Sequence, residues 1–208
     1  MSLTKEDGRR IRADGAGKLE KEICEKHNLK QIGGSRTKID GSDGVNNKSI
    51  KNARGSSTQV HLTTQNKFIE QMGLQCRDID FIRQFCGDSS INNNGIDRYK
   101  ISEIDKDNLD AFYSFLKNNK RKVVDYIIRN GFDITHVIYK DTKNDIVYEL
   151  SYEEIMEKIE ECAWVGKEGG IHLKNKKGKS YFHFQREGKR NPNNRYNVLW
   201  HIHKELFK

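Results

Sequence analysis

The sequence predicts an α+β fold, of the kind built on a mixed β-sheet, because strand-like and helix-like stretches intermingle without regular βαβ alternation. Period-two alternation marks SSTQVHL (56–62) and SYFHFQR (180–186), whereas helical spacing marks KLEKEICEKH (18–27) and SYEEIMEKIEEC (151–162). The 208 residues show no internal repeat and one proline, which fits a single domain able to bury a core.

In chain order, residues 1–14 read as a polar lead-in, followed by a helix over 17–27 that ends before the Gly33-Gly34 break. The stretch KIDGSDGVNNKSIKN (38–52) reads as a β-hairpin, and 56–62 as a strand with Thr58, Val60 and Leu62 on one side and Gln59 and His61 on the other. Residues 66–86 have helical spacing interrupted at Gly73, and 87–98 is a loop by composition. Two helices follow at about 105–118 and 119–130, then a hairpin of 134–140 with 145–150, then a helix over 151–162. A basic C-terminal hairpin, with strands at 170–174 and 180–186, and a terminal apolar segment VLWHIHKELF (198–207) complete the domain.

The formal net charge is +8, from 38 Lys and Arg against 30 Asp and Glu. Such an excess favours polyanionic partners, nucleic acid before anionic membrane. No apolar run approaches the roughly 18–20 residues needed to span a bilayer, so membrane function is not expected. Cys24, Cys76, Cys86 and Cys162 form no C-x-x-C pair. That argues against a zinc ribbon, and with no signal peptide in view the cysteines read as reduced thiols of a cytoplasmic protein.

The hairpin poses the chemical question. Lysine is costly in a strand beside a core, yet Ser49 and Lys51 share a strand face while Ile50 points the other way. Asp40 lies on the preceding strand, and pairing can bring its carboxylate to the Ser49–Lys51 segment. A carboxylate, the Ile50 carbonyl and an ammonium around one point suit a hard divalent cation and a phosphate. On the preceding helix, taking about 100° per residue from Leu19, Ile23 falls at about 40°, Glu20 at about 100° and Cys24 at about 140°. Glu20 therefore borders the inward face, where a carboxylate is expensive unless paired or near a metal.

An inward glutamate on a helix, an aspartate on a strand and a strand ending in hydrophobic-x-Lys together resemble the core of the PD-(D/E)XK nuclease superfamily. The text SIKNARGSSTQVHLTTQNKFI resembles its type II restriction endonucleases in particular. The resemblance is best over residues 15–69, weaker over 171–207 and absent over 70–170. It implies a restriction-endonuclease-like core, a central mixed sheet flanked by helices. It also implies a site-specific endonuclease acting on double-stranded DNA with Mg²⁺, for which Mn²⁺ can substitute.

Residue by residue, Asp40 matches the motif aspartate and principal metal ligand. Lys51 matches the motif lysine that orients water and stabilises phosphate charge, and Glu20 matches the helix acid in the metal's outer shell. The motif's middle acid is Ser49 here: either Ser49 works through a water, or the metal leans on Asp40 and the Ile50 carbonyl, or another acid substitutes. No proline precedes the aspartate, and Asp43 is the alternative to Asp40, although its Gly-rich setting suits a turn. Candidate DNA contacts are Asn52, Arg54, Ser57, Gln59 and His61 downstream of Lys51, with Arg186 and Lys189 in the basic segment 174–195. By the same resemblance the enzyme acts as a homodimer on palindromic sites, with a cognate DNA methyltransferase as genetic companion rather than physical partner.

Two other readings compete. His183, Asn194 or Asn197, and His201 or His203 stand in an order permissible for an HNH (ββα-metal) nuclease. Alternatively the chain is a basic, non-enzymatic DNA-binding protein in which Lys51 forms a structural ion pair.

Overall fold

The computed structural model describes residues 17–33, 37–87, 98–167, 170–186 and 196–208. The 1–14 lead-in, most of the 87–98 loop, Asn194 and Lys189 lie outside them.

Among the described residues, two five-stranded sheets organise the fold. The first is mixed, in the order β1 (Lys30–Gln31), β2 (Gly41–Ser42), β3 (Asn47–Ala53), β5 (His136–Asp141), β6 (Ile146–Ser151). Its β3–β5 pair is parallel and its other pairs antiparallel. The second is antiparallel throughout, in the order β4 (Ser57–Thr63), β10 (Val198–His203), β9 (Ser180–Arg186), β8 (Gly170–Lys174), β7 (Ala163–Lys167). The mixed α/β class is thus as expected, a mixed sheet flanked by helices. The second sheet adds the strand β7, and it uses the terminal apolar segment as a strand between β4 and β9 rather than as an appended element.

Helices fall close to their expected places because each is set by local signals. The α1 helix covers residues 17–26. The stretch 65–86 breaks into α2 (Gln65–Met72) and α3 (Arg77–Cys86), the first ending at Gly73 in the left-handed conformation (φ 68°) that glycine adopts without strain. Then come α4 (Lys106–Asn118) and α5 (Lys120–Ile128), with Asp105 capping the former. A Ser151–Glu154 capping box starts α6 (Tyr152–Glu160).

The main core draws on both sheets. Phe182, Phe184, Trp200 and Ile202 from the second sheet pack with Phe68, Phe81, Phe85 and Phe112 from the helices, and with Val137 and Tyr139 from the first. A smaller cluster on the other face of the first sheet joins Ile50 and Ile138 to Ile23 and Cys24 of α1. Opposite faces of β3 thus serve different layers. Ile50 lies under α1, while Ser49 and Lys51 border a small cavity with Ile127, Ile128 and Val60.

One expected alternation is broken. Trp200 pairs with His61 but His201 pairs with Gln59, so Val60 is an extra residue, a β-bulge, in β4. Beyond it the faces exchange: His61 and Thr63 are buried and Leu62 is exposed.

Candidate active site

Asp40 is clamped into the hairpin by its backbone. Its N–H donates to Lys48 O (2.9 Å), and its carbonyl accepts from Ile32 N (3.0 Å) and Gly33 N (3.3 Å). Strand β2 pairs with β3 only at Lys48 and Asn47, so from Ser49 onward that edge of β3 is open. The Asp40 carboxylate fills the notch. Its Oδ2 accepts from Ile50 N (2.6 Å), from Ser49 Oγ (3.3 Å) and from Lys51 Nζ (3.5 Å). Because the N–H and C=O of one strand residue face the same edge, the Ile50 carbonyl opens into the same notch, where it accepts from Lys51 Nζ at 3.2 Å.

Both partners of the Asp40–Lys51 pair are mostly removed from water, with side chains 13% and 19% exposed, and Ser49 is buried. Glu20 approaches from α1: a Cβ placed on Gly33 would lie 3.8 Å from Glu20 Oε2 and 4.0 Å from the Asp40 carbonyl oxygen. Burial first, and the Asp40 carboxylate second, raise the Glu20 pKa, with Lys51 acting in the opposite sense. The sequence-derived set Glu20, Asp40, Ser49, Ile50 and Lys51 is therefore brought together.

These residues fit a hard divalent cation. The Asp40 carboxylate disfavours charge on Glu20, a strand carbonyl faces the same opening, and no hydrogen bond engages Asp40 Oδ1 among the described residues. Oxygen donors around concentrated negative charge are what such an ion requires.

Asp43 belongs to the turn instead. Its carboxylate accepts from Val45 N, Asn46 N and Asn46 Nδ2, bonds that bring its pKa down to about 2, and it is fully exposed.

Lys38 is a neighbour that the sequence reading missed. Its Nζ donates to Ile127 O near the end of α5, and burial, then the Lys51 charge, lower its pKa to about 7. The signal was present in Lys-Ile-Asp, since residues two apart on extended chain share a side.

The expected DNA contacts divide. Arg54 and Gln59 are exposed, while Asn52 and Ser57 are half-buried. His61 is corrected: the bulge turns it into the core, edge-on to Tyr126 at 4.6 Å, and burial lowers its pKa to about 3. Arg186 is half-buried and already engaged within the fold. Its Nη1 donates to Phe85 O (2.9 Å) and Tyr99 O (2.7 Å), and its guanidinium lies 5.1 Å from the Phe85 ring, so it anchors α3 to the second sheet.

The HNH arrangement is not formed. His183, His201 and His203 do gather, but on adjacent antiparallel strands, and β10 runs into a 3₁₀ turn (Lys204–Phe207), not the helix of a ββα unit. No helix among the described residues is long and apolar enough to cross a membrane.

No protein-family model matches the chain, and no curated protein matches it either. Among solved structures the chain is similar to the restriction endonuclease MspI in complex with its cognate DNA. The TM-score is 0.50 and the identity 9%, over 83% of this chain and 69% of that one. The likeness is one of fold: the chain has a restriction-endonuclease-like fold.

Proposed function

We propose that the protein is a divalent-metal-dependent endonuclease of double-stranded DNA, site-specific in the manner of type II restriction enzymes. The observation that carries this reading is the convergence of Asp40, the Ile50 carbonyl and Lys51 at the open edge of β3. The fold likeness to a DNA-bound restriction endonuclease and the net charge of +8 support it.

In this reading Asp40 and the Ile50 carbonyl hold the ion, Mg²⁺ or Mn²⁺, with Glu20 at its outer shell. The ion supplies Lewis-acid stabilisation of the phosphate oxygens and a more acidic water. Lys51 positions the attacking water and offsets negative charge that grows as the new P–O bond forms and the ester P–O bond breaks. Ser49 cannot replace a carboxylate ligand; its hydroxyl donates to Asp40 and fixes the rotamer.

Plasmid or phage DNA incubated with the protein should yield discrete fragments with Mg²⁺ and none with chelator. Asp40→Asn and Lys51→Ala should each lower cleavage by at least about 100-fold while DNA binding survives. A smear would demote site specificity, and a mobility shift without any cutting would leave a DNA-binding protein that is not an enzyme.

A further inference from the structure

A second cluster of chemically capable side chains lies in the other sheet, on residues that the nuclease reading does not use. His172 on β8, His183 on β9 and His201 on β10 are in register across three neighbouring strands. Their flanking residues Ile171, Leu173, Phe182, Phe184, Trp200 and Ile202 belong to the core, so alternation puts these histidines on the face turned away from it. His203, two residues along β10, shares that face. The rings stack: centroids lie 4.9 Å apart for His172–His183 and 4.4 Å for His183–His201.

One ring nitrogen from each of His172, His183 and His203 falls within 4.8 Å of the other two. Second partners orient two of the three rings. His183 Nε2 meets Gln185 Oε1 at 2.8 Å, and a carbonyl-type oxygen only accepts, so the proton sits on Nε2 and the Nδ1 lone pair points at His203. His203 Nε2 lies 2.7 Å from that Nδ1. One ring nitrogen of His172 is held by Ser180 Oγ at 3.1 Å. For His172 and His183 a hydrogen-bonded partner thus stands behind the ring, the usual second layer of a histidine metal site.

We propose that His172, His183 and His203 form a three-imidazole site for a borderline divalent transition ion of the Zn²⁺ class, separate from the carboxylate notch at Asp40. Zn–N bonds of about 2.0–2.1 Å place tetrahedral nitrogens about 3.3 Å apart, so His183 and His203 need to separate by only roughly half an ångström. The ion replaces their mutual hydrogen bond, and the proton on His203 moves to its other nitrogen. Both nitrogens of His201, beside the trio, lack a hydrogen-bond partner among the described residues, so this face holds an imidazole that protein contacts leave unsatisfied. Three ligands on three neighbouring strands leave a fourth position for water and staple β8, β9 and β10 together.

The two sites differ in hardness: oxygen donors at Asp40 suit Mg²⁺, and imidazoles exclude it. The test uses the full-length protein without an affinity tag, dialysed against chelator and titrated with Co²⁺. The expected result is one tightly bound equivalent with a visible tetrahedral absorption band, displaced by Zn²⁺ and untouched by millimolar Mg²⁺. His172→Gln and His203→Gln should each raise the Co²⁺ dissociation constant at least about tenfold, whereas Asp40→Asn and His136→Ala should not. Because a variant can fail to fold, X-ray absorption on Zn²⁺-loaded wild type gives an independent reading: a nitrogen shell with imidazole scattering. Absence of tight binding by wild type, binding indifferent to His172→Gln and His203→Gln, or a shell containing sulfur or only oxygen overturns the proposal. DNA cleavage enters none of these readouts, so the outcome is separable from that of the nuclease reading.

Discussion

His61 and Gln59 stand two residues apart on β4, yet the bulge at Val60 puts them on opposite faces, one in the core and one in solvent. The consequence for His61 is measurable. Tyr126 faces its ring, Lys38 and Lys67 add positive potential, and burial does most to hold its pKa near 3. In the unfolded chain an ordinary histidine takes a proton as pH falls through about 6.5, while in the folded protein His61 stays neutral until about 3. The unfolded state binds more protons across that window, so stability falls as pH drops from about 6.5 towards 3. Relative to His61→Gln, wild type should lose on the order of 2 kcal/mol between pH 7 and pH 4.5, read from denaturant unfolding at each pH. A difference that stays flat over that range would show that His61 titrates as an exposed histidine does. Under the proposed site-specific cleavage, the same variant should leave the cut sequence unchanged, because His61 does not reach the surface that a base edge could touch.

Among the elements, the hairpin and α1 hold Glu20 and Asp40 together through one close approach. A Cβ on Gly41 would lie 2.9 Å from Cys24 Sγ and 3.3 Å from Leu29 Cβ, so no larger residue fits between α1 and β2 without movement. Gly41→Ala should cost about 1–2 kcal/mol, and Cys24→Ala in the same chain should recover part of it, a coupling that thermal unfolding of the double-mutant cycle measures. This region was legible in the sequence because its signals are local. Leu19, Ile23 and Cys24 recur at helical spacing, and the Gly-rich turn returns Ser49 and Lys51 beside Asp40. What was hidden depends on long-range pairing. Only the partner β10 reveals the bulge at Val60, the assignment of β3 and β4 to different sheets follows from which strands meet later, and the Arg186 anchor needs Phe85 and Tyr99, about a hundred residues away. The histidine row follows the same rule: only the strand state of β10, set by its pairing with β4 and β9, puts His201 and His203 on one face.

For the molecule as a whole, the positive excess of eight and the proposed duplex substrate make ionic strength a direct probe. Each phosphate neutralised releases condensed counterions, so a protein contacting five to eight phosphates should show log K falling against log salt with a slope of about −4 to −7. Asp40→Asn should leave that slope unchanged, since in the proposed reading the carboxylate serves the reacting phosphate and not backbone tracking; fluorescence anisotropy with a labelled duplex measures both. The number of chains on the duplex is set by the symmetry of the target. Under the proposed function a palindromic target would present two equivalent scissile phosphates and one notch per chain would serve one of them, so a two-fold dimer would cut both strands in a single encounter. Sedimentation of the protein on a cognate duplex should then give two chains per duplex. Supercoiled plasmid should pass to linear product with little nicked circle accumulating. One chain per duplex with persistent nicked circle would instead mean that a single notch visits the two strands in turn, and the dimer would be withdrawn while the Asp40–Lys51 chemistry stood.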